Sequence, residues 1–377
     1  MNLNFNTIPR RTWIVKSKTV LSVKKYIFLS SYKSMSPCGR LLLCCILNAM
    51  KEVYLVTGAG GYLGRAAVEA LLHRGCRVRA LVHSPQGAAN LPAGAEAVPG
   101  SVLEPASLQA LFSVPGEPPL CCIHAAGLIS VNRRDPQVRL VNVEGTKNIL
   151  ELCQARMARL VYVSSVDALC LPERNEPVRE PQRFFPEKLS TEYGRSKAES
   201  ANMVLEAAKG GLSASVVLPS CILGPGDARR GFTSIMLQAY LRGIPPVSIT
   251  GGYDFVDVRD VAQGILAACL TPGGSVYLLT GRYGSVKEVF DCLADYTGRP
   301  RTRLTLPLEL LYPALPFVSL YGAVTRRRMP LSSSALKLLA AHPLYDHSRA
   351  TRELGFMPRP LEETVRDTAA FLLGRSV

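Results

Sequence analysis

The sequence predicts an α/β fold built on a doubly wound parallel sheet, and three observations carry that expectation. From residue 51 onward, short apolar runs alternate with segments of helical periodicity, as in a parallel sheet covered on both faces. The first of those runs, Val53–Thr57, passes directly into glycines at 58, 61 and 64. The chain has 377 residues, 47% of them hydrophobic, enough for one large sheet-centred domain with a smaller lobe.

Strands are expected at Val53–Thr57, 78–83, 95–98, Leu120–His124, 160–164 and 213–218, with helices between them near 62–74, 105–113, 136–156 and 191–209. Gly75 is placed to close the first helix, where a left-handed residue is needed. Right-handed crossovers between such strands put ligands at their carboxyl ends. After Pro219 the texture changes. Segments 221–252 and 299–347 are rich in Pro and Gly, while 255–270, 275–280 and 287–297 return to regular elements. The expected division is a nucleotide-binding domain over 50–220 and a mixed region over 221–377 that completes the sheet and forms a substrate-covering C-terminal lobe. The apolar stretch 304–324 raises a membrane question, but Glu309 and prolines 307, 313 and 316 argue against a spanning helix. A lid or a buried helix pair is expected there.

The run Thr57-Gly58-Ala59-Gly60-Gly61-Tyr62-Leu63-Gly64 has the spacing of a dinucleotide turn. Gly58 makes the tight turn, Gly61 admits close backbone approach to a pyrophosphate, and Gly64 lets helix pack on strand. The helix that begins near Tyr62 and Leu63 directs free N–H groups and a positive dipole end at that pyrophosphate. Far downstream, Tyr193 and Lys197 stand four residues apart on a predicted helix, hence on one face. A phenol titrates near 10, and a neighbouring ammonium favours its anion, so Lys197 is expected to tune Tyr193 as an acid/base and to hold the nicotinamide ribose. Ser165, at the end of the run beginning Val161, would hydrogen-bond the substrate oxygen, with Ser164 as competitor for that role. His124 follows an apolar strand and reads as a structural histidine rather than a base.

These residues, at these separations, resemble the extended short-chain dehydrogenase/reductase family, within it the dihydroflavonol 4-reductase-like branch grouped with NAD-dependent epimerases and dehydratases. The matching stretches run from about 51 to 374. They include Thr57 to Gly64, His124-Ala125-Ala126-Gly127, Asn142-Val143-Glu144-Gly145-Thr146, the Ser165, Tyr193 and Lys197 set, 218–227 and 255–262. The resemblance implies a Rossmann fold in which Ala125 and Ala126 line the cofactor and Pro219 and Ser220 border the nicotinamide. It gives Asn142 a structural or proton-relay part, and it implies a homodimer formed through a pair of helices.

Two departures bear on the cofactor. Where an acid at the end of the second strand would accept the adenosine ribose hydroxyls, the chain reads Arg79-Ala80-Leu81-Val82-His83-Ser84. NADP is therefore favoured over NAD, with His83, Ser84 or Arg79 near the extra phosphate. The family's aspartate after the third strand is also replaced by Gly100-Ser101, so adenine binding is expected to be weaker or rearranged.

Net charge is +15, but residues 1–49 hold eight basic residues and no acid, which leaves +7 for the body. With no basic stripe interleaved with aromatics there, nucleic acid is not an expected partner. That N-terminal segment differs in composition from everything after Met50. It is read as an extension from a translation start assigned too early, with a transit-like presequence or a basic tail as the competing readings. Eleven scattered cysteines fit a reducing cytoplasm, and no cluster has metal-ligand spacing. The expected function is NAD(P)-dependent interconversion of a ketone or aldehyde and an alcohol on a small to medium organic substrate, with Tyr193 as general acid/base. The alternatives are a nucleotide-sugar epimerase or dehydratase that retains NAD, and a non-catalytic dinucleotide sensor.

Overall fold

The computed structural model describes residues 52–375, apart from 131–133, 173–175, 228–231, 244–246 and 317–332. The N-terminal segment singled out by composition thus lies outside the described residues. The first half runs β1 (Val53–Thr57), α1 (Tyr62–His73), β2 (Arg77–Val82), α2 (Pro85–Ala89), β3 (Glu96–Pro99), α3 (Pro105–Phe112) and β4 (Leu120–His124). It continues with α4 (Pro136–Arg139), a π-helical turn (Leu140–Glu144), α5 (Gly145–Ala155), β5 (Arg159–Val163), α6 (Glu192–Lys209) and β6 (Ala214–Pro219). The second half comprises β7 (Cys221–Leu223), α7 (Phe232–Leu241), β8 (Val247–Ile249), β9 (Gly252–Asp257), α8 (Val258–Ala268), β10 (Val276–Leu279) and β11 (Arg282–Ser285). Then follow α9 (Val286–Thr297), β12 (Leu304–Leu306), α10 (Ser333–Ala340), α11 (Ser348–Leu354) and α12 (Leu361–Leu372).

Seven parallel strands form the central sheet in the order β10-β6-β5-β4-β1-β2-β3. Successive side chains of a strand point to opposite faces, and here each face meets its own core. Val53 and Leu55 of β1, Cys122 of β4, Leu160 and Tyr162 of β5 and Val216 of β6 join one core with Leu108, Ile149 and Ala198 from α3, α5 and α6. Tyr54, Val56, Ile123, Val161 and Val217 join the other with Val68, Leu71 and Ile265 from α1 and α8. The strand order reverses between β1 and β4, and the register Thr57↔His124 sets their carboxyl ends side by side, which leaves a crevice there. A third core lies under the lobe, where Leu237, Tyr240, Phe255, Val289, Phe290 and Val365 pack together. A three-stranded sheet, β11-β9-β7, ties that lobe to the strand ends.

The structure differs from expectation in two places. The helix predicted over 136–156 is interrupted at Leu140–Glu144 by the wide turn, which lets Asn142 turn inward. The described part of 304–324 starts with β12 and a 3-10 turn, Leu308–Ala314, where Pro307 and Pro313 deny an α-helix its donors, and becomes α-helical at 315–316. Leu304 and Leu310 there are more than half exposed, and residues 317–324 lie outside the described residues. No helix among the described residues is long and apolar enough to cross a membrane.

Candidate active site

The crevice begins at the glycine turn. Gly58 has φ +70°, and a Cβ on it would fall 2.6 Å from the Ala126 nitrogen. A Cβ on Gly64 would fall 2.2 Å from the Gly58 carbonyl oxygen, so α1 rests directly on the turn. The Gly61 N–H donates to Gly58 O at 2.8 Å, and no side chain caps α1 beyond it, which leaves the first helical N–H groups for a ligand. Leu63 packs onto the second core. The Tyr62 phenol instead reaches the lobe and donates to Gly224 O at 2.6 Å, where burial and Asp227 raise its pKa.

Thr57 stitches the two strand ends together. Its Oγ1 accepts from the Ala126 N–H at 3.2 Å and lies 2.7 Å from His124 Nδ1, while His124 Nε2 lies 3.0 Å from Thr146 Oγ1. Thr146 in turn donates to Asn142 O at 2.6 Å. The chain of donors puts the imidazole proton on Nε2. Burial pushes the pKa of His124 down to about 3, so the ring is a neutral strut.

Tyr193, Ser165 and Lys197 come together at the carboxyl end of β5. Thr191 caps α6 by accepting from Gly194 N at 3.1 Å, and a Cβ on Gly194 would stand 2.6 Å from Asp167 O. Only a bare glycine lets the start of α6 lie against the turn that carries Ser165. Burial and the nearby Asp167 raise the pKa of the Tyr193 phenol above the usual value, outweighing the Ser165 hydroxyl, which is close enough to lower it. Lys197 does not supply the lowering influence anticipated for it. Its Nζ donates to Val163 O at 2.7 Å and lies 4.9 Å from the Tyr162 ring centre, and burial pulls its pKa down to about 7. Ser164 is turned away, donating to the Lys197 carbonyl at 3.2 Å. Asn142 holds both backbone groups of Leu128, at 2.8 and 3.0 Å, and donates to Ser196 at 2.9 Å.

At the far end of the crevice, His83 is exposed just past β2, and Ser84 caps α2 by accepting from Gly87 N. Arg79 is not near any phosphate position. It sits mid-strand, and its guanidinium is spent on the carbonyls of Ala110, Leu111 and Ser113 and on Glu96 at 2.8 Å. Its side chain therefore points along the sheet toward α3 rather than out of the strand end. Ala125 and Ala126 flank the glycine turn, and Pro219 ends β6 beside Leu279 of β10.

Sequence reasoning missed two carboxyls. Asp167, in the 3-10 turn after Ser165, and Asp254, on β9, line one cavity of about 110 Å³ with Ser220, Cys221, Tyr253 and Tyr345. Burial raises both carboxyl pKa values to about 6. The one available signal was an acid two residues past a serine at a strand's end.

A doubly wound sheet with an open glycine turn at its switch point, and a phenol, a hydroxyl and an ammonium at the next strand end, defines a dinucleotide-binding protein of the extended short-chain dehydrogenase/reductase type. Residues 54–279 match the NAD dependent epimerase/dehydratase family, and the chain belongs to that family. It is 32% identical over 330 residues to sterol demethylase protein B of Methylococcus capsulatus, covering 86% of this chain and 99% of that one. It is 31% identical to a putative dihydroflavonol 4-reductase of Synechocystis, covering 85% and 94%. Among solved structures, gox2253 superposes with a TM-score of 0.72 at 27% identity, covering 85% of this chain and 98% of that one. A UDP-glucose 4-epimerase from Thermotoga maritima superposes at 0.68 with 21% identity, covering 85% and 99%, and shares the fold. Oxidoreductases and epimerases are both among these relatives.

Proposed function

We propose that the protein is an NADP-preferring oxidoreductase that reduces a ketone or aldehyde on a small to medium organic substrate, or oxidises the matching alcohol. The observation that carries this reading is the Tyr193 phenol, which has the Ser165 hydroxyl close enough to lower its pKa and is nonetheless kept protonated by burial and Asp167. A phenol that holds its proton at neutral pH is an acid ready to donate to a carbonyl oxygen. Ser165 stabilises the charge that develops on that oxygen, and Lys197 supplies a second cationic or donating group behind it. Asn142 and the Thr57, His124 and Thr146 chain hold the loop after β4 in place against this set. The dinucleotide, when bound, supplies or takes the hydride.

The bare Gly58 turn and uncapped α1 fit a pyrophosphate. The exposed His83 and capping Ser84, with no acid in the run from Arg79 to Ser84, support the 2′-phosphate over a free ribose. Replacing Tyr193 by Phe is expected to lower kcat by roughly 10²-fold or more while dinucleotide affinity stays within a few-fold, the pattern of a lost transition-state contact. A screen of carbonyl compounds followed by NADPH consumption supplies the assay. Unchanged turnover in Tyr193→Phe refutes the acid/base role, and equal kcat/KM with NADH refutes the cofactor preference.

A further inference from the structure

The cavity lined by Val166 and Asp167, the two residues that follow Ser165, has a wall the proposed reaction does not use. Asp167 follows Ser165 by two residues, its backbone N–H is held by the Ser165 hydroxyl at 3.1 Å, and its charge bears on the Tyr193 phenol. A Cβ on Gly194, the residue after Tyr193, would stand 2.6 Å from the Asp167 carbonyl oxygen, so the turn that carries Asp167 abuts the start of the helix that carries the phenol. No described residue hydrogen-bonds or ion-pairs with its carboxylate. Asp254, by contrast, accepts from the Gly281 N–H at 2.8 Å. Both carboxyls bear on Cys221 and Tyr345 from the same space, and no Lys or Arg lines it. Ser220 is 8% exposed and its hydroxyl oxygen, though close enough to Asp254 to favour that carboxylate, makes no hydrogen bond of ordinary geometry. Tyr345 closes the far side, fixed by a bridge from its own segment to Val178.

The Ser220 hydroxyl, buried without a partner, costs stability unless something else meets it, and the half-buried Asp167 carboxylate in the same cavity is open to a donor. Two acceptors and a hydroxyl converging on one small cavity, walled by tyrosine rings, are an arrangement for binding a hydrogen-bond donor. We propose that Asp167, seconded by Ser220 and Asp254, selects substrates that carry a hydrogen-bond-donating group, a hydroxyl or a protonated amine, on the carbon next to the one that reacts. This rests on the oxidoreductase reading of the same site and adds its substrate class. Asp167 is thereby a specificity-determining residue, and the chemistry remains with Tyr193 and Ser165.

The test compares a 2-alkanone with its 1-hydroxy and 1-amino analogues, on wild type, Asp167→Leu and Asp167→Asn. Wild type is expected to favour one or both donor-bearing ketones over the plain ketone in kcat/KM by about 100-fold, since a site built to bond a donor rejects the analogue that lacks it. Asp167→Leu, close in size but without an acceptor, should reduce that ratio to within a few-fold of one. Asp167→Asn keeps an acceptor and removes the charge. A preference for the hydroxyl should survive it in part, and a preference for the amine should not. Calorimetric dissociation constants for the same three compounds read the same ratios without turnover, so failure of the redox reading leaves this one measurable. A wild type that does not discriminate, or a preference left intact by Asp167→Leu, overturns the proposal.

Discussion

Replacing Gly64 by Ala tests how the cofactor end of the crevice is built. A Cβ at this position would lie 2.2 Å from Gly58 O, 2.7 Å from Gly58 C and 3.0 Å from Ala59 Cα. Ordinary carbon–oxygen contact begins near about 3.3 Å, so α1 must retreat by about 1 Å. The clashing atoms are backbone of a tight turn and cannot swing aside. Overpacking of this kind costs about 3 kcal/mol, and the better helix propensity of Ala returns about 1, for a net loss of about 2 kcal/mol. The retreat also carries the uncapped N–H groups of α1 away from the pyrophosphate, and a misplacement of about 1 Å is worth up to roughly 100-fold in a positioned interaction. Urea unfolding reads the first effect, and fluorescence titration with NADPH reads the second. Gly75→Ala is the control, with φ +73° and nothing within 4 Å of its Cβ. It should cost about 1 kcal/mol through its left-handed backbone and leave affinity alone. A Gly64→Ala protein as stable and as tight-binding as wild type refutes the argument.

Two further predictions concern buried charge. Asp257 is fully buried at the end of β9, caps α8 through Arg259 N at 2.8 Å, and pairs with the Arg259 guanidinium at 2.7 Å. Asp257→Ala should lose about 1 to 2 kcal/mol in thermal or urea unfolding through the lost cap and ion pair, because Arg259 keeps Asp367 at 2.9 Å and Arg359 keeps Asp260 at 2.7 Å. Lys197, with its pKa lowered from 10.5 to about 7, sheds its proton sooner folded than unfolded. Below pH 7 it is charged in both states and the full burial penalty applies. Between about 7 and 10 the unfolded chain binds the extra proton, so stability rises with pH. Subtracting the profile of Lys197→Met from that of the cofactor-free wild type should isolate this rise, on the order of 3 kcal/mol. A flat difference from pH 6 to 10 refutes it.

The parts of this molecule that could be read from the sequence are those in which one physical requirement acts on every residue of a run. β1 and β4 were expected at the bounds they have, because each is buried on both faces and ends in a polar residue that starts a turn. Their neighbours differ by a residue at each end, where burial fades. The glycine turn was legible for a different reason, since contacts of 2.2 and 2.6 Å to backbone exclude any side chain at Gly64 and Gly58. What escaped depends on side-chain direction. Arg79, four residues before His83, reads as a phosphate ligand in the sequence, but its guanidinium is spent on the carbonyls that end α3. Lys197 was assigned to the right face of α6, but the carbonyl of Val163 takes its proton donor, a contact made across 34 residues. Asp167 and Asp254 lie 87 positions apart and meet only because β9 pairs with β7 beside the end of β6. No local pattern marks such a meeting.

The match to the family spans residues 54–279, whereas the cavity lined by Asp167 is closed by Pro343 and Tyr345, outside it. The wall at Tyr345 is therefore added to Asp167, Ser220 and Asp254 by a separate stretch of chain. Ser165, Tyr193 and Lys197 are fixed to β5 and α6, inside the sheet whose two cores leave little room for variation. Tyr345 is carried by a segment held to Val178 through two backbone bonds, Val178 N to Leu344 O at 2.7 Å and Asp346 N to Val178 O at 2.9 Å. A wall attached so lightly can be exchanged at small cost in stability, while the donor set behind it cannot. It follows that changes at Tyr345 should move substrate preference with little effect on dinucleotide binding, and changes on the helix face of Tyr193 should do the reverse of sparing turnover whatever the substrate.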